Sequence, residues 1–392
     1  MHPHRVPAGC IRPRGRYNTV GLVKERDMKK DRQQFLEGLM AAVSPSGFEE
    51  EAQEVVRRRL AGRCDDLRTD VHGNVLAGVN VEAPLRVMLA GHVDEIGLMV
   101  SHVDENGYLF FQTIGGYAAD ILAGQRVIVH GAKGRVQGVI GRRAIHLMTP
   151  EDRKEAPKME DLFIDIGAKD AQDAGKHVRV TDPVTIDVDL KYLLNHRVAS
   201  RGFDDRVGSF VVVETLLELA RRRPKVAVWA VSTVQEEVGL RGARTSAFGL
   251  DPHVGIAVDV GHASDYAGAE KDKRKLGDVK VGAGPILCRG PNINAVVGQG
   301  LENTAKARKI PYQFQAEPRA TGTDANAIQI NRAGVATALV SVPNRYMHTP
   351  VEIISLDDAD NAIRLLTEYL LTLKPTDTFI PGVSRPAGKR KR

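Results

Sequence analysis

Five short segments carry the side chains that could hold and work with divalent cations. They are Gly91-His92-Val93-Asp94-Glu95, Gly202-Phe203-Asp204-Asp205-Arg206, Val234-Gln235-Glu236-Glu237-Val238-Gly239, Ala257-Val258-Asp259 and Arg345-Tyr346-Met347-His348-Thr349-Pro350. A hydrolytic centre with two ions needs a shared carboxylate, terminal ligands for each ion and a spare carboxylate for proton transfer. Asp204, Glu237 and Asp259 as carboxylates offset three of the four positive charges of two such ions, and a bridging hydroxide offsets the fourth. Neutral His92 and His348 complete the shells, and Glu236 stays free. Nitrogen and oxygen donors without thiolate suit zinc, cobalt or manganese.

A single His or Asp is more often a surface or turn residue than a ligand, and the other ten histidines are read that way. These segments differ in what precedes them. His92 closely follows the apolar run Val87-Met88-Leu89-Ala90, Asp259 follows Val254-Gly255-Ile256-Ala257-Val258, and Glu236 comes soon after Val226-Ala227-Val228-Trp229-Ala230-Val231. Such runs read as buried parallel strands, and open α/β sheets place their sites at the carboxyl ends of such strands. The adjacent Glu236-Glu237 pair is costly to leave uncompensated, because like charges repel.

The elements that must position these groups fit a chain of 392 residues, enough for two or three domains. The 42% apolar content supports a real core, and no apolar run approaches the roughly 18 residues of a membrane span. No secretory apolar segment opens the chain. Three widely spaced cysteines, Cys10, Cys64 and Cys288, point to a reducing, cytoplasmic compartment and away from a disulfide framework or thiolate zinc site. The net charge of +6 is confined to the ends: residues 1–33 carry +6 and residues 385–392 carry +5, so the remainder carries −5. That distribution argues against a nucleic-acid partner. Residues 1–33 and 376–392 read as disordered basic tails, with Met28 an alternative start of the folded chain.

A helix is expected around Gln33–Val43. A second opens at the capping-box pattern Ser46-Gly47-Phe48-Glu49 and runs to about Leu60. Strand, turn and strand follow through Asn74-Val75-Leu76 to His92. Residues 97–194 then change texture to short alternating strands with turn chemistry at Glu105-Asn106-Gly107 and Gly131-Ala132-Lys133-Gly134. This reads as a small β-barrel or sandwich inserted into an α/β domain made of residues 34–96 and 195–375. A helix over Arg206–Arg222, strands over Val226–Val234, Val254–Val260 and Ala336–Val342, and a final helix from near Ser355 complete the second part. In that helix Ala359, Ile363, Leu366, Leu370 and Leu373 form the buried stripe.

The chain over about residues 34–375 resembles the M42 family of metallo-aminopeptidases. The matching stretches are Ser46-Gly47-Phe48-Glu49, His92-Val93-Asp94-Glu95-Ile96-Gly97, Phe203-Asp204-Asp205-Arg206, Gln235–Ala243, Gly322-Thr323-Asp324-Ala325 and Arg345–Glu352. Thr321 stands where the family commonly has a second glycine. The resemblance implies a mixed-sheet zinc-peptidase catalytic domain of the phosphorylase/hydrolase-like type, with the insert serving dimerisation and six dimers closing a tetrahedral dodecamer. It implies peptide substrates with a free amino end and two divalent ions per subunit, Zn²⁺ or Co²⁺ first and Mn²⁺ as a further option. It implies that Asp204 bridges the ions, that His92 and Asp259 complete one site, and that Glu237 and His348 complete the other. Glu236 would be general base and then general acid, Asp94 would fix the His92 imidazole, and the Asp204-Asp205 peptide would be cis.

Two other activities compete. A metal-dependent N-acyl amino acid deacylase would use the same centre. An endoglucanase could cast two of the carboxylates in glycoside hydrolysis, but it leaves the histidines unexplained, and the single tryptophan, Trp229, lies in an expected buried strand.

Overall fold

The computed structural model describes residues 28–382. Helices α1 (Lys30–Ala41) and α2 (Glu50–Leu60) precede strands β1 (Asp66–Thr69), β2 (Val75–Val79) and β3 (Arg86–His92). The next stretch is almost all strand: β4 (Gly97–Val103), β5 (Leu109–Ile114), β6 (Arg126–Gly131), β7 (Gly134–Gly141), β8 (Phe163–Asp165), the short helix α3 (Ala171–Ala174) and β9 (Pro183–Ile186). Then come β10 (Lys191–Tyr192), β11 (Arg197–Ser200), α4 (Phe203–Arg222), β12 (Ala227–Thr233), α5 (Arg241–Leu250) and β13 (Val254–His262). The last part holds α6 (Glu270–Leu276), β14 (Ile286–Arg289), α7 (Ala295–Arg308), β15 (Gln313–Ala316), α8 (Asp324–Gln329), β16 (Ala336–Asn344), β17 (Glu352–Ser355) and α9 (Leu356–Thr372).

Eight of the described strands form one mixed sheet in the order β1-β2-β12-β3-β13-β16-β14-β15. Its centre is parallel: β12 pairs with β3, β3 with β13, and β13 with β16. These strands are buried along almost their whole length, which is why they read as continuous apolar runs and not as alternating ones. On one face α4 crosses β3, β12 and β13 and packs on α9. Phe203, Phe210, Val211 and Leu216 of α4 lie in the same core as Val87, Leu89, Val228 and Ile256 of the sheet. Phe210 is wholly buried, and truncating it to alanine costs about 3–5 kcal/mol. On the other face α5 and α8 cover Met88, Trp229 and Val231.

The inserted strands close a barrel in the order β4-β5-β8-β7-β6-β9. Inward residues such as Leu98, Leu109, Val127, Val129, Ile164 and Val184 form a core of their own, so the barrel-or-sandwich alternative resolves to a barrel. The Asn106-Gly107 turn is held by Asp104, whose Oδ1 accepts from the N–H groups of Asn106 and Tyr108 at 3.1 and 2.8 Å. Within the expected insert, β10 departs from the barrel. It pairs with β11, and β11 with β17, in a separate three-stranded sheet.

Three expectations are corrected at their edges. The first helix begins at Lys30, inside the stretch expected to be tail, because Arg32 ties it to α4 and α9 through Glu214, Glu218 and Asp360. The stretch from 376 is likewise anchored at Phe379, which packs on the core and accepts from Asn294 Nδ2 through its carbonyl at 2.9 Å. The parts of both tails before 28 and after 382 lie outside the described residues. Ser46 caps no helix: α2 starts at Glu50, and Ser46 Oγ donates to Asp94 Oδ2 at 2.7 Å. Glu49 Oε1 accepts from the N–H groups of Gly47 at 2.7 Å and Gln235 at 3.2 Å. A tertiary partner took the Ser46 side chain, and Glu49 is shared between the local Gly47 N–H and the distant Gln235 N–H.

Candidate metal centre

The parallel register brings the expected groups to one end of the sheet. His92 ends β3 opposite Thr233 of β12, and Glu236 and Glu237 follow three and four residues later. Asp259 stands opposite Ser341 near the end of β13. His348 follows β16 in a loop where Tyr346 and His348 both take left-handed backbone, φ 65° and 59°, and Gln235 ahead of the Glu pair does the same at φ 56°. Left-handed backbone at non-glycine residues is held there by the surrounding structure and gathers at functional sites.

Asp204 opens α4 against β3, and the approach is close. A Cβ on Gly91 would collide with the backbone of Gly208, and one on Gly208 with the Asp205 carboxylate, so only glycine fits at either place. The Asp204-Asp205 peptide is cis.

Each Asp204 oxygen faces one imidazole. His92 Nε2 is 3.2 Å from Oδ1, and His348 Nε2 is 3.2 Å from Oδ2. His348 Nε2 is also 3.5 Å from Glu237 Oε1, and His92 Nε2 is 3.8 Å from Glu236 Oε2. Ligand-type atoms of His92, Asp204 and Glu237 lie within 4.8 Å of one another, as do those of His92, Glu236 and Asp259. All five expected ligands and Glu236 line one cavity of about 240 Å³.

Asp94 is fully buried behind this cluster. Its Oδ1 accepts from the Glu236 N–H at 3.0 Å, and its Oδ2 from the Glu237 N–H at 3.2 Å as well as from Ser46. His92 Nδ1 is 3.0 Å from the Asp94 carbonyl oxygen and 3.5 Å from its carboxylate. Asp94 thus bears on both the histidine and the glutamate pair.

Several supporting carboxylates had no role in the sequence reading. Asp205 accepts from the His92 N–H at 3.1 Å and the Gly208 N–H at 3.0 Å. Glu352 accepts from the Asp204 N–H at 2.9 Å and the His348 N–H at 3.3 Å. Asp324 accepts from Thr233 Oγ1 at 2.6 Å. Glu95 pairs with Arg201 and Arg206, all three buried. Glu352 and Asp324 stand inside the motifs quoted above, but an acid in a sequence carries no mark of the backbone N–H it will accept from. The barrel also reaches the site: a Cβ on Gly116 would lie 3.4 Å from His348 Nδ1.

The charges are out of balance. Burial pushes Glu236 up to about 10, with His92 opposing and Asp259 and Asp324 adding. Burial and then the Asp204 charge raise Glu352 to about 8, and burial holds Asp259 well above the usual carboxylate range. Burial would raise Asp204 too, but hydrogen bonds from His348 and His92 hold it below its ordinary value. Burial disfavours the His92 cation, yet Glu236, Asp204 and Asp94 outweigh that and hold it well above the usual value. Hydrogen bonds to Asp204 and Glu237 raise His348 to about 11. Buried carboxylates outnumber the nearby cations, and the buried Glu237 Oε1 meets only the His348 imidazole, at 3.5 Å, too long for a well-formed hydrogen bond. Carboxylate and imidazole donors with uncompensated negative charge fit a divalent cation, and these residues can hold one.

The sequence profile described as M42 glutamyl aminopeptidase matches residues 73–365. The lysyl aminopeptidase of Pyrococcus furiosus is 37% identical over 352 residues, covering 89% of this chain and 99% of that one. A TET aminopeptidase from a marine-sediment thaumarchaeon superposes with a TM-score of 0.84 at 34% identity, covering 88% and 96% of the two chains. The Pyrococcus horikoshii TET1 peptidase, which can assemble into a tetrahedron or a large octahedral shell, superposes with a TM-score of 0.78 at 29% identity, covering 87% and 100%. The chain therefore belongs to the M42 peptidase family and is a hydrolase acting on peptide bonds.

Proposed function

We propose that the protein is a binuclear metal-dependent aminopeptidase that removes N-terminal residues from peptides. The observation that carries this reading is the Asp204 carboxylate with one imidazole at 3.2 Å from each oxygen, a disposition suited to a carboxylate shared by two ions. His92 and Asp259 would complete one site, and Glu237 and His348 the other. Two bound ions, zinc or cobalt first and manganese as a further option, would polarise the scissile carbonyl, lower the pKa of water and relieve the repulsion among the carboxylates. Glu236, beside the ligands, would take a proton from the attacking water and return it to the leaving amine. Asp94 orients that step by holding the Glu236 and Glu237 backbone and the His92 ring.

In this reading residues 34–96 and 195–375 serve catalysis, and the barrel within 97–194 serves assembly. The relatives that form closed shells support a homo-oligomer, and we assign twelve chains built from six dimers, acting in the cytoplasm. No helix among the described residues is long and apolar enough to cross a membrane. The activity is tested by aminoacyl-nitroanilide cleavage with N-acetylated substrates as the control, since a deacylase would prefer the latter. Light scattering tests the assembly: twelve chains per particle are expected, and a stable active monomer would refute it.

A further inference from the structure

The cavity beside Asp204 is walled by four strands that lie side by side in the order β13, β16, β14, β15. Asp259 stands opposite Ser341 in the first pairing, and Cys288 opposite Gln315 in the last. Glu317 lies two residues past Gln315, and its N–H donates to the Arg289 carbonyl at 2.8 Å, which prolongs the β14–β15 ladder. Residues two apart on a strand share a face. Asp259, Ser341, Cys288, Gln315 and Glu317 all line the cavity and form a row leading away from the cluster. Three strand spacings, about 14 Å, separate the backbones of Asp259 and Gln315.

The charge along this row is one-sided. Among the described residues lining the cavity there is no Lys or Arg. Asp204, Glu236, Glu237 and Asp259 gather with the two histidines at one end, and Glu317 stands apart from them. Its carboxylate has no hydrogen-bond or ion-pair partner among the described residues. Burial raises its proton affinity, and the opposing charge is that of exposed Lys275 on α6.

We propose that this row is the subsite for the side chain of the substrate's first residue, and that Glu317 makes it select lysine or arginine over acidic residues. The assignment rests on the aminopeptidase reading above. A long cationic side chain extends along Ser341, Cys288 and Gln315 and ends in a charge-assisted hydrogen bond to Glu317. An acidic one would bring a further carboxylate to the Glu317 end of the row, where no Lys or Arg lines the cavity. A shorter apolar side chain stops before Glu317 and leaves it hydrated.

The test compares kcat/KM of the metal-loaded full chain for lysyl-, arginyl-, leucyl- and glutamyl-p-nitroanilide. The two basic substrates are expected to exceed the glutamyl one by about tenfold or more, the usual worth of a hydrogen bond to a charged group. Glu317→Gln should lower the lysyl value about tenfold more than the leucyl value, and Glu317→Lys should move the order toward the glutamyl substrate. Preference for the glutamyl substrate in the natural chain, or equal losses on lysyl and leucyl substrates in Glu317→Gln, would overturn the subsite while leaving the aminopeptidase reading intact. Cleavage of none of the four would sink that reading and the subsite with it.

Discussion

The Asp94 carboxylate reaches Glu236 through the backbone: its Oδ1 accepts the Glu236 N–H at 3.0 Å, while Oδ2 takes the next N–H, that of Glu237. A buried acid on the segment after β3 thereby fixes the segment after β12. In Asp94→Asn one oxygen becomes an amide that cannot accept either N–H. Supporting groups of this kind typically contribute about 10- to 100-fold to metal affinity or activity. A loss of that size in turnover or zinc affinity is expected with the fold intact by circular dichroism, and unchanged kinetics would contradict it.

Glu236→Gln keeps the shape of the side chain and removes its proton chemistry. Turnover should fall by about 10² to 10⁴, with the metal content of the protein unchanged. A variant that turns over at the natural rate would place the base elsewhere.

The metal-free protein should lose stability as pH rises. Glu49, Glu352 and Glu236 are raised from 4.5 to about 7, 8 and 10, first of all by burial, and His348 is raised from 6.5 to about 11 by its bonds to Asp204 and Glu237. Each binds its proton more tightly folded than unfolded, so its contribution is complete below the unfolded value and lost as pH passes the folded one. Asp204 has the opposite sign and acts only in acid, below its unfolded value of 3.8. The melting temperature of chelated protein should therefore fall between pH 5 and 10, and less steeply once zinc is restored. A midpoint that climbs with pH over that range would contradict the charge balance described here.

Arg206 is fully buried, and its guanidinium donates to Glu95 and to the carbonyls of Leu39 and Ala42 at 2.9 and 3.0 Å. It joins the end of α1 to the start of α4, next to Asp204. Arg206→Met removes one of the two guanidinium partners of the buried Glu95 carboxylate and one of the two donors to the Ala42 carbonyl, the other in each case being Arg201, and should cost about 3–5 kcal/mol in denaturant unfolding. A loss below about 1 kcal/mol would mean that Arg201 alone satisfies Glu95.

The strands that carry the site were legible because burial on both faces leaves unbroken apolar runs: Val87–Ala90, Val226–Val231 and Val254–Val258 all lie in or against the central sheet. The α9 stripe was legible for the complementary reason, since one face of a helix repeats every 3.6 residues, and all five expected residues are buried. Between β13 and β16 the sequence shows the Gly322-Thr323-Asp324-Ala325 motif but no legible strands or helices. Strands β14 and β15 are four residues each, too short for a pattern, although Asn294, which caps α7 by accepting from Val296 and Val297, was an available signal. Ser46-Gly47-Phe48-Glu49 misled because a capping box and a site support share the same letters. Which one forms depends on Asp94 and Gln235, distant in sequence. The same holds for Asp205 and Glu352, whose value lies in the N–H groups that the fold brings to them.

If the Asp204 cluster works through bound metal, peptidase activity follows the metal content of the protein. Protein stripped by chelation and checked by elemental analysis should cleave no aminoacyl-nitroanilide while keeping its circular dichroism. Stepwise return of zinc or cobalt should restore activity in proportion, saturating at two ions per chain. Full peptidase activity in the verified metal-free sample would show that the Asp204 cluster works without metal.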